Sequence, residues 1–188
     1  MGVAERKRRE RAEREHRIVA AARKIAEAEG WSAVTIRRLA EEIEYSQPVL
    51  YAHFENREAI VAAVAIEGFR ELASALRQAA HGRDRQDALL NVAGAYLAFA
   101  FEQPALYEAM FTLPTGLRFA EADTKKELKD CFAALASVVA PSRADLGVAT
   151  ETFWAALHGL VDLEHSGRIR QSARAERVAL VVHGLLEY

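Results

Sequence analysis

Apolar residues recur along most of the chain three or four positions apart, the period of a helix face, and no useful run alternates as a strand would. Ile18, Ala22, Ile25 and Ala26 make a first stripe, which continues to about Ala28 and meets a glycine stop at Gly30. Thr35 to Phe54, TIRRLAEEIEYSQPVLYAHF, then reads as two short helices joined by a tight turn. Thr35 caps the first, and Ile36, Leu39, Ala40 and Ile43 form its apolar face. Glu44 and Tyr45 fill the turn, and the Ser46 hydroxyl is placed to cap the second helix by accepting from the Val49 N–H. Pro48 sits in the first turn, where a missing donor costs little, and Leu50, Tyr51 and Phe54 supply the second apolar face.

The pattern continues in the same way to the end. Asn56 caps a long helix from Arg57 to about Ala80 with apolar positions on more than one side. Asp84 opens another through Tyr96 and Phe99, and Pro104 starts a shorter one through Tyr107, Met110 and Phe111. LPTG marks a turn around Pro114 and Gly116. A helix is predicted from about Ala122 to Ala140, broken by Pro141. Ser142 with Asp145 forms a capping pair for a helix running to about His165, which Gly167 stops. Ser172 begins the last helix, which reaches Leu186. The fold class is therefore all-α, with about nine helices.

Composition narrows this. At 188 residues with 51% hydrophobic and 28% charged, the chain has the material for a globular core and is not disordered. No apolar run approaches the roughly 20 residues of a membrane span. The start, MGVAERKRRERAEREHR, lacks the apolar stretch of a secretory signal. Cys131 is the single cysteine, which excludes an intrachain disulfide and fits a reducing cytoplasm. The net charge is −2, yet residues 1–17 carry seven Arg or Lys against four Glu. A basic end on an acidic body suits a nucleic-acid-reading module joined to a domain of another kind. Within that end, Arg6/Glu10, Arg9/Glu13, Glu10/Arg14 and Glu13/Arg17 are spaced to pair along a solvated helix, while Arg6 to Arg11 are placed for phosphates.

The segment LAEEIEYSQPVLYAHFENREAI resembles the helix-turn-helix of TetR-type transcriptional regulators over residues 17–62. Leu39, Ala40, Ser46, Leu50, Tyr51, Phe54, Glu58 and Ile60 match the family's pattern of a helix ending in Ala-Glu, a Gly-Val-Ser turn, Leu-Tyr-x-x-Phe and Lys-Glu-x-Leu. Glu44 stands where the pattern commonly has glycine, at a backbone position that often needs φ > 0. Pro48 replaces a small residue. TFWAALHGLVDLE also resembles the Trp-x-x-x-His-Gly signature of one branch of TetR-type C-terminal domains, through Trp154, His158 and Gly159. The domain plan this implies is a basic arm (1–16), a DNA-binding domain (17–62) and a ligand-binding and dimerisation domain (63–188).

Candidate DNA-binding residues are Thr35, Arg37, Ser46, Gln47, Pro48, Val49, Tyr51 and His53. The Gln47 amide can pair with adenine and Val49 can touch a thymine methyl. Ser46, Tyr51, His53 and the Thr35 backbone N–H have reach to phosphates, and one of Arg37 and Arg38 faces the DNA. One such helix reads too few base pairs for selectivity, which implies a homodimer on a palindromic double-stranded operator. The resemblance places the dimer surface on the last two helices, through Phe153, Leu157, Leu160, Val178, Val181, Val182 and Leu185. It also implies a pocket for a small hydrophobic effector, with Tyr96, Phe99, Tyr107, Met110, Phe111, Phe119, Phe132 and Trp154 as lining and Arg118, Glu121 and Asp123 near its entry. The alternative is a helical ligand-binding bundle or enzyme that binds no DNA.

Catalytic chemistry has little to stand on. No Ser/His/Asp motif, P-loop or GxGxxG is present, so the expectation is a regulator, not an enzyme, with no cofactor. His158, Asp162 and His165 share a helix face, but no further ligand completes a metal set. Cys131, beside Phe132, reads as a buried thiol more than as a sensor.

Overall fold

The computed structural model describes residues 2–119, 121–139 and 145–187. Among these are nine α-helices and no strand. They are α1 (Val3–Glu29), α2 (Ile36–Glu42), α3 (Gln47–Tyr51), α4 (Arg57–Ala79), α5 (Arg85–Glu102), α6 (Pro104–Phe111), α7 (Lys126–Ala136), α8 (Leu146–His165) and α9 (Arg174–Glu187). None is long and apolar enough to cross a membrane. The helices sort into two compact units, with the division falling inside α4 between Gly68 and Phe69. The first unit takes the chain up to Gly68 together with Gln103–Arg118, so α6 belongs to it, and the second takes Phe69–Glu102 and the chain from Phe119 onward.

In the first unit, α1 buries Ile18, Val19, Ala21, Ala22, Ile25 and Ala26 against a core shared with Trp31, Val34, Leu39, Ala40 and Leu50. The basic start is not a separate arm but the first half of α1, exposed along nearly its whole length. The pairs Arg6–Glu10 and Arg9–Glu13 (3.6 Å each) and Arg11–Glu15 (2.8 Å) run along it. Gly30 ends α1 with φ 81° and ψ 164°, a positive φ but not the left-handed helical cap expected, because the chain passes directly into a 3-10 turn at Trp31–Ala33. Thr35 caps α2, its hydroxyl accepting from the Arg38 N–H at 3.1 Å. Glu44 takes φ 57° in the turn. That region costs a non-glycine residue on the order of 1 kcal/mol. Ser46 departs from expectation: its hydroxyl caps nothing, and the Val49 N–H goes to the Ser46 carbonyl instead (3.0 Å). Asn56 caps α4 through the Ala59 N–H at 2.8 Å. On α4, Gly68 lies so close to α6 that an added Cβ would sit 2.5 Å from the Met110 sulfur.

The second unit is built around α5, whose Leu89, Val92, Ala93, Tyr96, Leu97, Phe99 and Ala100 are buried. A helix apolar on most of its circumference must be covered on most sides, and here α8 and α9 both pack on it. The Asp84 carboxylate caps α5 by accepting from the Asp87 N–H (2.9 Å). The helix expected over 122–140 is shorter at both ends, since the Ala122–Lys125 segment is a turn and Ser137–Val139 leaves the helix. Pro141 and Ser142 lie outside the described residues. Asp145 caps α8, accepting from Gly147 (2.8 Å) and Val148 (3.3 Å). Gly167 ends α8 at φ 67°, with Arg168 N–H bonded to the Leu163 carbonyl (2.8 Å) and Gly167 N–H to that of Glu164 (3.0 Å).

One charged knot locks the end of this unit. The Glu164 carboxylate is buried and accepts from both Arg174 and Arg177 (3.1 Å from Arg177). The Arg174 guanidinium lies 3.9 Å from the centre of the Phe101 ring, and His165 packs on the same ring. The Arg174 hydrogen bond, opposed by burial and reinforced by Arg177, holds Glu164 below the usual carboxylate range. A carboxyl group depressed by folding contributes stability above its unfolded pKa and loses it as pH falls through the folded value. Glu164→Gln is therefore expected to lower unfolding stability by about 2 kcal/mol at pH 7. Urea titrations should show the difference shrinking as pH falls below the ordinary glutamate value and through the lowered folded one, where the parent loses the same contribution.

Candidate nucleic-acid interface

The α2–turn–α3 segment holds the candidate interface. Leu50 is fully buried and pins α3 to the body, leaving Ser46, Gln47 and Pro48 exposed and Val49 half-buried. Tyr51 is 54% exposed, so its ring belongs to the surface and not to the core. Thr35 and Arg37 are exposed at the start of α2. Of the two arginines, Arg37 is the outward one, paired only along its own helix with Glu41 (2.9 Å). Arg38 is turned toward the body, bridging Glu29 and Glu42 at 3.1 Å each. Thr35, Arg37, Ser46, Gln47, Pro48 and Tyr51 are thus all exposed on one two-helix segment.

His53 is the candidate the fold does not place with them. Its side chain is 8% exposed and its Nδ1 lies 3.3 Å from the Glu15 carboxylate on α1. Partial burial pushes Glu15 up, but hydrogen bonds from Arg11 and His53 outweigh it and hold the carboxyl below its ordinary value. This pairing joins α1 to the end of the α3 region, and the Arg17 guanidinium, donating to the Tyr45 hydroxyl at 3.2 Å, joins it to the turn between α2 and α3. Neither contact was legible in the sequence, because each joins residues 28 or more positions apart.

Within the second unit a cavity of about 230 Å³ is lined by Phe119, Glu121, Thr124, Leu128, Lys129, Phe132, Glu151 and Trp154. Phe119 stands between Phe69 and Trp154, with ring centres 5.4 Å from each. Trp154 Nε1–H donates to the Tyr96 hydroxyl at 3.1 Å, so Tyr96 stands behind the wall, and Phe99 is buried elsewhere on α5. Tyr107, Met110 and Phe111 lie on α6 in the first unit, where Tyr107 and Phe111 pack ring to ring at 4.7 Å. Phe119, Phe132 and Trp154 are thus the three expected lining residues that the fold brings together. Glu151 was missed, although its place one turn before Trp154 on α8 signals a shared face.

On α8 and α9, Phe153, Leu157, Val178 and Val182 are buried in the chain's own core, while Leu160, Val181 and Leu185 are half-buried. The large apolar side chains left outward are Leu146, Val148, Leu163 and above all Leu180, 71% exposed. Gly159 does not answer a close helix crossing inside the chain, since an added Cβ would meet nothing within 4 Å. Among the described residues no group of three or more His, Cys, Asp or Glu converges for a metal. His165 instead turns onto Phe101, and burial lowers the His158 pKa. Burial likewise pushes the Cys131 thiol up to about 12, which keeps it protonated and unreactive near neutrality.

Known proteins match on both halves. Residues 18–64 match the model of bacterial regulatory proteins of the tetR family, and residues 89–185 match that of the tetracyclin repressor-like C-terminal domain. An uncharacterized HTH-type transcriptional regulator of Mycobacterium tuberculosis is 35% identical over 152 residues, spanning 80% of this chain and 69% of that one. A protein from Rhodococcus sp. RHA1, described as of unknown function, superposes with TM-score 0.74 at 22% identity, covering 92% of this chain and 93% of that one. The transcriptional regulator FadR of Bacillus subtilis, solved with stearoyl-CoA, superposes with TM-score 0.66 at 12% identity, covering 90% and 98%. The segment that exposes Gln47 and Tyr51 and the helices that frame the cavity fall inside these matched regions, and the chain belongs to the TetR family of transcriptional regulators.

Proposed function

We propose that the chain is a repressor that binds a palindromic operator as a homodimer and is released by a small effector. The observation that carries the reading is the α3 surface: a five-residue helix pinned by Leu50, with Gln47 and Tyr51 turned to solvent. A short helix with an uncharged polar face fits a major groove, where the Gln47 amide meets the N6/N7 edge of adenine. Tyr51, Ser46 and Arg37 then hold phosphates, and the N-terminus of α2 adds its backbone N–H groups. The exposed arginines on the first half of α1 extend the same basic footprint.

Two copies are needed to read two half-sites about 34–36 Å apart. The exposed apolar side chains of α8 and α9, Leu163 and Leu180 among them, and the open space over Gly159 support these two helices as the surface that a second copy covers. The cavity beside Trp154 supports an effector site. At about 230 Å³ it is below the usual range for drug-sized ligands, which favours a compact apolar molecule with one polar group. An effector acts only through its different affinity for the DNA-competent and DNA-incompetent arrangements. The α4 helix, continuous across Gly68–Phe69, supports a mechanical route between the two units.

Selection of duplexes from a random pool, followed by salt-dependent binding of the recovered sequence, tests the DNA reading. In that assay Gln47→Ala should weaken binding by about 10- to 100-fold and relax preference at one base pair, as loss of a bidentate base contact does. Tyr51→Phe should weaken it several-fold, and both variants should keep the parent's melting temperature. Unfolding of both would show instead that these side chains are structural. Leu180→Glu should shift the protein to single subunits in sedimentation velocity without loss of helicity; a dimer that survives it removes α9 from the interface. Compounds that perturb Trp154 emission should also lower operator affinity, and a compound bound beside Trp154 that leaves that affinity unchanged would refute the switch.

A further inference from the structure

Arg57 is the first residue of α4, a place where a positive charge opposes the helix dipole. Its side chain is half-buried and points away from α4's own axis toward the turn before α2. There Nε donates to the Val34 carbonyl at 2.7 Å and Nη2 donates to the Trp31 carbonyl at 2.6 Å. The two acceptors bracket the 3-10 turn, and Trp31 and Val34 are both buried. Thr35, the residue after Val34, is the cap that starts α2. Trp31 is also tied at its other end, its indole Nε1–H donating to the Ala105 carbonyl of α6 at 2.7 Å. One guanidinium thus fixes the spot from which α2 departs.

We propose that Arg57 is a positioning residue for operator recognition and not a phosphate ligand: its planar fork clamps the Trp31–Val34 turn and so sets the placement of α2 and of the α3 it carries. This rests on the reading of α2 and α3 as the DNA-binding pair. The fork geometry is what the role needs, because two carbonyls three residues apart require two divergent N–H donors on one rigid plane. A lysine in the same place keeps the charge but has a single mobile ammonium, which cannot hold both acceptors in fixed register. A phosphate ligand behaves in the opposite way, since Lys serves there nearly as well as Arg and each neutralised phosphate adds about one to the salt slope.

The two roles separate on Arg57→Lys and Arg57→Gln, measured against the duplex recovered by selection, across a salt series, with helicity followed by circular dichroism. The positioning role predicts that both variants lose operator affinity by about tenfold or more, the loss expected from one charged hydrogen bond, with the salt slope of the parent retained. Arg57→Lys binding like the parent, or Arg57→Gln losing about one unit of salt slope, would overturn it in favour of a phosphate contact. Parental affinity in both variants would overturn it in favour of simple packing. Should Arg57→Gln fail to fold, the charge-conserving Arg57→Lys decides alone, by loss or retention of affinity. A parent protein that binds no duplex from the pool refutes the DNA reading itself, which is a different result from any of these.

Discussion

A helix of five residues has no stability of its own in water, because nucleation fixes several dihedrals before hydrogen bonding compensates. That α3 exists at all depends on burial of Leu50 against the α1–α2 core and on clamps at both of its flanks. Upstream, Thr35 caps α2 and Arg57 grips the turn before it. Downstream, the His53 ring is buried beside Glu15. With Leu50 turned inward, Gln47 and Tyr51 on the other side of so short a helix are turned out. Exposure of Gln47 and Tyr51 is thus a consequence of how the helix is held.

The same logic shapes the second unit. Its central helix, α5, is apolar on most sides, so α8 and α9 must spend their most hydrophobic faces, Phe153, Leu157, Val178 and Val182, on covering it. What remains outward on those two helices mixes polar residues with a few aliphatic ones, Leu163 and Leu180 among them. The buried Glu164 with its two arginines fixes the angle at which α9 returns, since a desolvated carboxylate tolerates no loss of its partners. Space is left where bulky rings meet at angles, in the cavity beside Phe119, Phe132 and Trp154.

The residues therefore divide by the range over which their roles are set. Thr35, Asn56, Asp84, Pro104 and Gly167 act on backbone groups within a few positions, and each does in the structure what its neighbours in the chain require. Ser46 is the exception, and an instructive one: its backbone carbonyl takes the Val49 N–H that its hydroxyl was placed to cap. His53, Met110 and Arg57 have roles set by partners tens of positions away, and nothing in their local pattern names those partners.

Sequence by itself determined the helical class, most helix ends and the two-helix segment with its exposed polar residues, because capping and 3.6-residue periodicity are local physics. The left-handed turn at Glu44 was legible through the resemblance, whose pattern has glycine at that position. Only the tertiary structure decided that α6 joins the first unit and that Phe132 and Trp154, but not Tyr107 or Met110, face a cavity. It also decided which stripe of α8 and α9 is core and which is left over. An apolar stripe states that a face must be covered; it does not state by what, and that choice is made by competition among all the faces the chain presents at once.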